Sequence, residues 1–167
     1  MLQNYALGDW QTPTGDTIAQ HHAITGKEIS IAGDFKDFGA MLDYARESGK
    51  QLRQLSFYER GVLLKRLALF LTERKAMYYA VSHQTGATKT DSWIDIDGGI
   101  GNLFSYASLR RRMGDQPFYV DGDAAKLGKN GTFLGVHVCV PKTGVAIHIN
   151  AFNFPVWGML EKCAVNW

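Results

Sequence analysis

The most constraining feature of this sequence is an apolar run that leads, through a short turn, into a helix opened by proline. The run extends from Val145 to Ile149, and its nearly continuous apolar character is typical of a strand buried on both faces in a parallel sheet. Pro155 has the fixed φ of a first helical turn and predicts a helix that continues to Ala164. A strand of this kind followed by a helix predicts an α/β fold with a parallel sheet, and ligands bind at the carboxyl ends of the strands in such sheets.

The segment before residue 50 predicts a β-ribbon followed by a helix. Up to Asp34, short β-like stretches alternate with turns at Thr14-Gly15-Asp16 and Thr25-Gly26-Lys27. Beyond Asp34 the apolar residues recur at helical spacing, and Gly49 is expected to end that helix. The residues on its apolar face are Phe38, Met41, Leu42 and Ala45.

A second helix is predicted from a start signal rather than from periodicity alone. Ser56 and Glu59 form an S-x-x-E capping box, in which the hydroxyl accepts from the first-turn amides and the carboxylate reaches back. The helical pattern bends near Thr72 and continues to Gly86. Its expected apolar stripe is Leu63, Leu67, Phe70 and Leu71.

A further helix and a hairpin complete the chain before the apolar run. The helix is predicted from near Asp91 to Arg112. Residues 118–120 and 132–140 are rich in β-formers, and the Asn130-Gly131 pair between them can take the positive φ angles of a tight turn, so residues 118–140 predict a long β-hairpin. An isolated hairpin is marginal in water, so we expect it to pack on a partner.

Composition excludes several classes of protein. The chain of 167 residues carries 18 Lys and Arg against 16 Asp and Glu, a balance without the positive excess on which nucleic-acid binding depends. No apolar stretch approaches the roughly 20 residues of a membrane-spanning helix, and no signal-peptide core is present in the first 30 residues. The two cysteines have no ligand spacing. We expect one domain or part of one, in the cytoplasm, with no nucleic-acid or membrane partner.

Asn153 stands in the turn between the expected strand and the helix. Its uncharged amide carries two N–H donors, which could be aimed at a developing oxyanion from the start of the helix. An asparagine before a helix that opens with proline is more often a plain N-cap, and the local sequence alone favours that interpretation. The turn has no glycine-rich phosphate loop, so it predicts neither a Walker motif nor a G-x-G-x-x-G fingerprint. Both interpretations stay open on these residues.

Asn153-Phe154-Pro155, after an apolar strand and before a helix, resembles the Asn-Phe-Pro element of the aldehyde dehydrogenase superfamily. The surrounding string resembles the phenylacetate-degradation branch, whose enzymes fuse an aldehyde dehydrogenase to an oxepin-CoA hydrolase of the enoyl-CoA hydratase type. Separated blocks that match in the right order are specific, whereas one alone would be weak. The matching blocks are residues 21–26, 84–88, 91–101, 103–109, 144–155 and 157–162.

This resemblance implies a reaction and assigns roles to residues. A cysteine thiolate attacks an aldehyde, a hydride passes to NAD or NADP, and a glutamate-activated water hydrolyses the thioester. Asn153 is implied to be the catalytic donor to the thiohemiacetal oxygen, and the backbone of the turn before it is implied to lie against the nicotinamide. The residues assigned to the cofactor are Ile149, Asn150, Ala151 and Phe152, and those assigned to the substrate are Phe154 and Gly158.

The resemblance also implies what these 167 residues lack. The family's nucleophilic cysteine and general base follow the Asn-Phe-Pro element at positions beyond Trp167, as does the lysine that reads the adenine ribose. The last helix has no C-cap glycine, which also indicates truncation. We therefore expect an N-terminal fragment that is inactive by itself. The family often has Pro-Trp where this chain has Ala151-Phe152, so the wall of the substrate tunnel is not fixed by the resemblance.

We expect three parts and two kinds of partner. The resemblance implies that residues 1–117 form the N-terminal part of the cofactor-binding domain and residues 118–142 an oligomerisation hairpin. It implies that residues 143–167 form the first strand, turn and helix of a doubly wound dinucleotide-binding sheet. The resemblance implies an aldehyde substrate, plausibly a CoA-linked semialdehyde from aromatic-ring breakdown. It also implies a homo-oligomer that forms through the hairpin.

Several glycines, arginines, cysteines and histidines are expected to serve the fold rather than catalysis or binding. The glycines of residues 98–101 predict close helix packing rather than nucleotide binding. Arg110-Arg111-Arg112 complements a helix C-terminus, although it could neutralise CoA phosphates. Cys139 and Cys163 are expected to be buried, inert thiols. The histidines lack ligand spacing, so no metal is predicted; they include His21, His22, His137 and His148.

Two functions of other classes remain as alternatives. In a non-catalytic assembly module, the hairpin and the apolar strand would mediate association and Asn153 would only cap a helix. A Cys163-dependent acyl-transfer enzyme would need a base within hydrogen-bond reach of the thiol, and the sequence offers no clear one.

Overall fold

The computed structural model describes residues 1–167 and contains six strands and six helices. The strands form three separate two-stranded antiparallel sheets. The chain is therefore mixed α/β, as the sequence predicts, with two N-terminal hairpins, a set of helices and a later hairpin. In chain order the elements are β1 (Asn4–Ala6), β2 (Asp9–Gln11), β3 (Thr17–His21), β4 (Glu28–Gly33), α1 (Phe38–Leu52), α2 (Phe57–Glu73), α3 (Lys75–Gln84), α4 (Lys89–Ser108), α5 (Arg110–Met113), β5 (Tyr119–Lys126), β6 (Leu134–Cys139) and α6 (Pro155–Asn166).

The N-terminal ribbon is present as two hairpins, β1 with β2 and β3 with β4. The turn between β3 and β4 uses Gly26 at φ +69°, and its ends are closed by the His22 amide, which donates to the carbonyl oxygen of Lys27 at 2.8 Å. A positive φ is the conformation for which glycine is suited, so the turn chemistry predicted from the sequence is confirmed.

Helix α1 ends later than the sequence predicts. Its N-cap is Asp37, whose carboxylate accepts from the amide of Ala40 at 2.9 Å. Gly49 stays inside the helix, and the end at Leu52 is closed by the amide of Arg53, which donates to the carbonyl of Gly49 at 3.1 Å. The prediction that Gly49 ends α1 is therefore wrong, because no positive φ is adopted there and a glycine without it is only a weak helical residue.

The Ser56 capping box opens α2 as predicted. The hydroxyl of Ser56 accepts from the amide of Glu59 at 3.1 Å, and the Glu59 carboxylate accepts from the amide of Ser56 at 2.8 Å. The expected bend falls at Arg74, between α2 and α3. The further helix predicted from Asp91 to Arg112 is divided into α4 and α5 at Leu109.

The core lies between α2, α4 and α6. The predicted stripe of α2 is only partly right, since Phe70 is exposed while Leu64 and Ala68 are buried; Leu67 and Leu71 pack at the edge. The eight buried residues of the core are Leu64, Ala68, Ile96, Ile100, Leu103, Ala107, Leu160 and Ala164.

Much apolar surface remains uncovered. The accessible surface is 11840 Å², whereas a compact monomer of 18.6 kDa is expected to expose about 8,200 Å². The hairpin of β5 and β6 accounts for part of this excess, because Val120, Val136 and Val138 are all exposed. Its loop spans residues 127–133 and contains a turn in which the amide of Gly131 donates to the carbonyl of Gly128, so the predicted two-residue turn at Asn130-Gly131 is not formed.

The apolar run from Val145 to Ile149 does not pair as a strand in this chain. None of its residues is in a sheet, and Ile147 and Ile149 are 75% and 88% exposed. A parallel strand needs a neighbour to satisfy its backbone, and no parallel pair is present among residues 1–167. The expectation of a buried strand is corrected to an unpaired segment that leads into α6.

Candidate functional site

The start of α6 is fixed by proline and by a distant carboxylate. Pro155 occupies the first helical position, and Phe154 is the N-cap, without any hydrogen bond from its own side chain. The N-cap interpretation of Asn153 is therefore wrong, because neither its position nor its side chain caps the helix. The side chain of Asn153 is exposed and makes no hydrogen bond, so both amide N–H donors are free.

Asp95 supplies the cap that α6 lacks locally. This residue of α4 is only 3% exposed, and its carboxylate accepts from the amides of Trp157 at 2.7 Å and Val156 at 3.3 Å. Pro155 has no N–H, and the amide of Gly158 donates to the carbonyl of Phe154 at 3.1 Å. All first-turn donors of α6 are thus occupied. A cofactor phosphate would therefore have to bind elsewhere, since this helix N-terminus offers no free amide.

Two glycines of α4 let α6 approach closely. A Cβ atom at Gly98 would lie 2.1 Å from Cζ3 of Trp157, and one at Gly99 would lie 3.0 Å from the Cα of Trp157. The indole is held in turn, because its Nε1 donates to the carboxylate of Glu161 at 2.9 Å. The packing interpretation of the segment from Gly98 to Gly101 is confirmed for Gly98 and Gly99, whereas Gly101 faces open space.

The turn before Asn153 is open. Ile149 and Phe152 are 88% and 91% exposed, and residues 149–153 make no backbone hydrogen bond within the chain. Asn150 differs from its neighbours because its Oδ1 is buried without a partner, close to Gly158 of α6. The structure therefore brings Asn150 and Gly158 together and places the exposed Ala151 and the partly buried Phe154 on the same turn. The backbone polar groups of residues 149–153 are left free.

The two cysteines occupy different environments. Cys163 on α6 is partly buried, and burial raises the pKa of its thiol, which disfavours the reactive thiolate. Cys139 at the end of β6 is exposed. The prediction of a buried thiol is therefore wrong for Cys139, because nearly all of β6 is exposed.

A charged cluster lies on α3 and α4, away from the turn. The carboxylate of Asp97 accepts hydrogen bonds from Lys75 and from the hydroxyl of Tyr79. Burial alone would raise the pKa of Asp97, but the bonds from Lys75 and Tyr79 outweigh it and lower the pKa. Burial and the neighbouring Asp97 raise the pKa of Tyr79 to about 12. The cluster ties α3 to α4 and has no contact with the Asn153 turn.

A cavity of about 470 Å³ lies at the opposite end of α6. Arg60 lines it and donates through Nε to the carbonyl of Leu55 and through Nη1 to that of Trp167, both at 3.1 Å, while Nη2 is buried without a partner. Burial lowers the pKa of Arg60, and the charge of Arg53 adds to the effect. None of the residues assigned to substrate or cofactor lines this cavity.

His148 and Arg110, two further candidate residues, have different hydrogen-bond partners. His148 contacts Asn166 through its Nε2 at 2.8 Å, and Arg110 donates to the carbonyl of Ala107 at the end of α4. The structure gathers no group of three or more His, Cys, Asp or Glu side chains that could hold a metal ion. None of the helices combines the length and the apolar character needed to cross a membrane.

These features define a mixed α/β chain with an Asn-Phe-Pro turn presented at a helix start, and the comparisons with known proteins agree. The family model described as "Aldehyde dehydrogenase family" matches residues 10–166, so the chain belongs to the aldehyde dehydrogenase family. The chain is similar to a 3,4-dehydroadipyl-CoA semialdehyde dehydrogenase of Aromatoleum evansii, with 36% identity over 166 residues. That match covers 98% of this chain and 32% of the relative, so the chain spans about one third of the relative's length.

Asp95 is the residue of this site that the sequence analysis missed. It lies on the face of α4 that buries Ser92, Ile96 and Gly99, where an ionised side chain needs a partner. An acidic residue on an otherwise apolar or small helix face is the signal that could have found it. Its partners are more than 60 residues away in sequence, at the start of α6, and no local pattern identifies them.

Proposed function

We propose that the whole protein carrying residues 1–167 is an NAD- or NADP-dependent aldehyde dehydrogenase. It oxidises an aldehyde to the carboxylate through a thiohemiacetal on a cysteine outside these residues. Membership of the family and the similarity to a CoA-semialdehyde dehydrogenase support this activity. The observation that carries the proposal is Asn153, whose amide donors have no partner and stand on a turn held by Asp95 and Pro155.

Asn153 acts as the oxyanion donor in this proposal. Its amide N–H groups bind the oxygen of the former carbonyl when negative charge develops there, and a neutral amide does so without gaining or losing a proton. The free donors support this role, because a side chain already bonded as a cap would have to break that bond first. Phe154 and Gly158 border the aldehyde on the α6 side.

The turn before Asn153 provides the surface for the nicotinamide. When bound, NAD or NADP supplies the hydride acceptor. The backbone groups of Ile149, Asn150, Ala151 and Phe152 are unpaired, so they can bind a carboxamide and orient a ring. The occupied N-terminus of α6 directs the cofactor phosphates to another part of the protein.

The substrate in this proposal is an aldehyde of the CoA-linked semialdehyde class.

The three parts of the chain have separate roles. Residues 1–117 and 143–167 belong to the cofactor-binding domain. The hairpin of residues 118–142 joins subunits into a homo-oligomer, for which the exposed face of Leu134, Val136 and Val138 provides apolar surface. The 167-residue chain by itself has no turnover, because the nucleophile and base lie outside it.

The same exposed hairpin favours a second candidate, a non-catalytic assembly module. A titration of the whole protein with NAD and NADP, followed by an assay of NAD(P)H formation with a CoA-linked semialdehyde, distinguishes the two. The proposal expects saturable cofactor binding and turnover, with none from the isolated chain. Association without cofactor binding would establish the assembly module, and turnover by the isolated chain would refute the external nucleophile.

A further inference from the structure

We infer that Asp95 is a positioning residue for Asn153: its carboxylate on α4 holds the first turn of α6 and thereby sets where the side-chain amide of Asn153 points. The inference rests on the proposed oxyanion role of Asn153. Asp95 does not touch the reacting atoms in this account, and it acts only through the backbone of α6.

The first turn of α6 is held at three consecutive residues. The backbone amides of Val156 and Trp157 donate to the two oxygens of the Asp95 carboxylate. Pro155, the residue before them, has its own φ fixed by its ring. Asn153 is thus separated from three constrained residues by Phe154 alone. No side chain of residues 149–154 makes a hydrogen bond that could hold the turn in another way.

The support beneath the carboxylate is rigid. Asp95 is 3% exposed on α4 and is followed by Ile96, one of the most deeply buried side chains of the chain. Gly98 and Gly99 bring α4 into contact with Trp157, so the two helices touch within about one helical turn of these hydrogen bonds. Packing fixes the distance between the helices, and the carboxylate fixes the orientation of the first turn.

The charge of Asp95 has no cationic partner, since it takes part in no salt bridge. Two backbone amides and the positive end of the α6 dipole therefore compensate it. An asparagine at this position would have the same shape but would keep only one acceptor and would lose the charge. It should hold the turn less tightly than aspartate and more tightly than alanine.

A double-mutant cycle in the whole protein tests the inference. Asp95→Ala and Asp95→Asn are each combined with Asn153→Ala, and kcat and the KM values for aldehyde and NAD(P)+ are measured. Asp97→Asn is the matched control, because Asp97 lies on the same helix and its carboxylate accepts hydrogen bonds from Lys75 and Tyr79 of α3 rather than from α6. Hydrogen exchange at Val156 and Trp157 reports directly on the turn.

The expected result is a loss of kcat that depends on Asn153. Asp95→Ala should lower kcat by about 10²-fold, because a small misplacement of a catalytic group has that effect, and Asp95→Asn should lower it less. The cofactor KM should change by less than about twofold, and in the Asn153→Ala background the further loss should be no more than about twofold. The amides of Val156 and Trp157 should exchange faster in both variants but not in Asp97→Asn.

Three results would overturn the inference. They are an unchanged kcat in Asp95→Ala, an equal loss with and without Asn153, and a similar loss in Asp97→Asn. If Asp95→Ala does not fold, Asp95→Asn takes its place in the cycle. A wild-type kcat for Asn153→Ala would refute the oxyanion role itself and this inference with it, whereas a slow Asn153→Ala enzyme with additive losses refutes the inference alone.

Discussion

The indole of Trp157 lies directly on Gly98, where a Cβ atom would come within 2.1 Å of Cζ3 of the ring. No side chain fits at residue 98 without moving the indole, which is hydrogen-bonded to Glu161. This contact brings α6 against α4 and places the Asp95 carboxylate within hydrogen-bond distance of the α6 amides.

Replacing Gly98 by Ala should destabilise the fold by about 1–3 kcal/mol, because the new methyl group displaces Trp157 and the gain in helix propensity is smaller than that strain. The matched control is Gly101→Ala, whose Cβ would meet nothing within 4 Å and which should stabilise the helix by up to about 1 kcal/mol. Urea unfolding measures both. Equal stabilities of the two variants would show that the α4 to α6 contact is absent.

Ser56→Ala should lower the free energy of unfolding by about 1–2 kcal/mol. The change removes the acceptor for the Glu59 amide and also the hydroxyl that donates to Asp115 at 2.5 Å. Ser108→Ala is the control, because that hydroxyl is exposed at a helix end and bonds only the carbonyl of Ser105. Thermal unfolding followed by circular dichroism compares them, and an effect of Ser108→Ala as large as that of Ser56→Ala would contradict the account.

Ser56, Glu59 and Pro155 show why part of the fold is predictable from sequence. Each acts on residues within one helical turn, so a pattern of three or four letters contains the whole interaction. Gly49 shows the opposite case, since a glycine caps a helix end by taking the left-handed conformation itself, and Gly49 does not take it. That conformation depends on what packs beyond it.

The segment from Val145 to Ile149 and the buried Asp95 show why other parts of the structure are not predictable from the sequence. The apolar pattern of the segment indicates what the strand would bury, but pairing depends on strands that are not among these residues. The partners of Asp95 lie on a different helix, so the sequence shows an acid on α4 without showing what it binds. The roles assigned to site residues between 149 and 158 rest on the resemblance to the family, and these roles stay predictions.

Acid should weaken the link between α3 and α4. The pKa of Asp97 is lowered in the fold, so the folded state prefers the carboxylate and the unfolded state binds more protons in acid. Its contribution is therefore present above the ordinary Asp pKa of about 4 and is lost as the pH falls below it. The stability difference between wild type and Asp97→Asn should be present at pH 7 and should shrink as the pH falls below about 4. A difference that grows in acid would contradict this sign.

Asn153 is proposed to stabilise the oxyanion, and rapid-mixing kinetics of Asn153→Ala in the whole protein test this role most directly. The pre-steady-state rate of NAD(P)H formation should fall by about 10²–10³-fold, while the Kd for the cofactor changes little. Asn166→Ala is the control, because Asn166 lies at the far end of α6 and contacts His148 and Lys162. An Asn153→Ala enzyme that forms NAD(P)H at the wild-type rate would contradict the account.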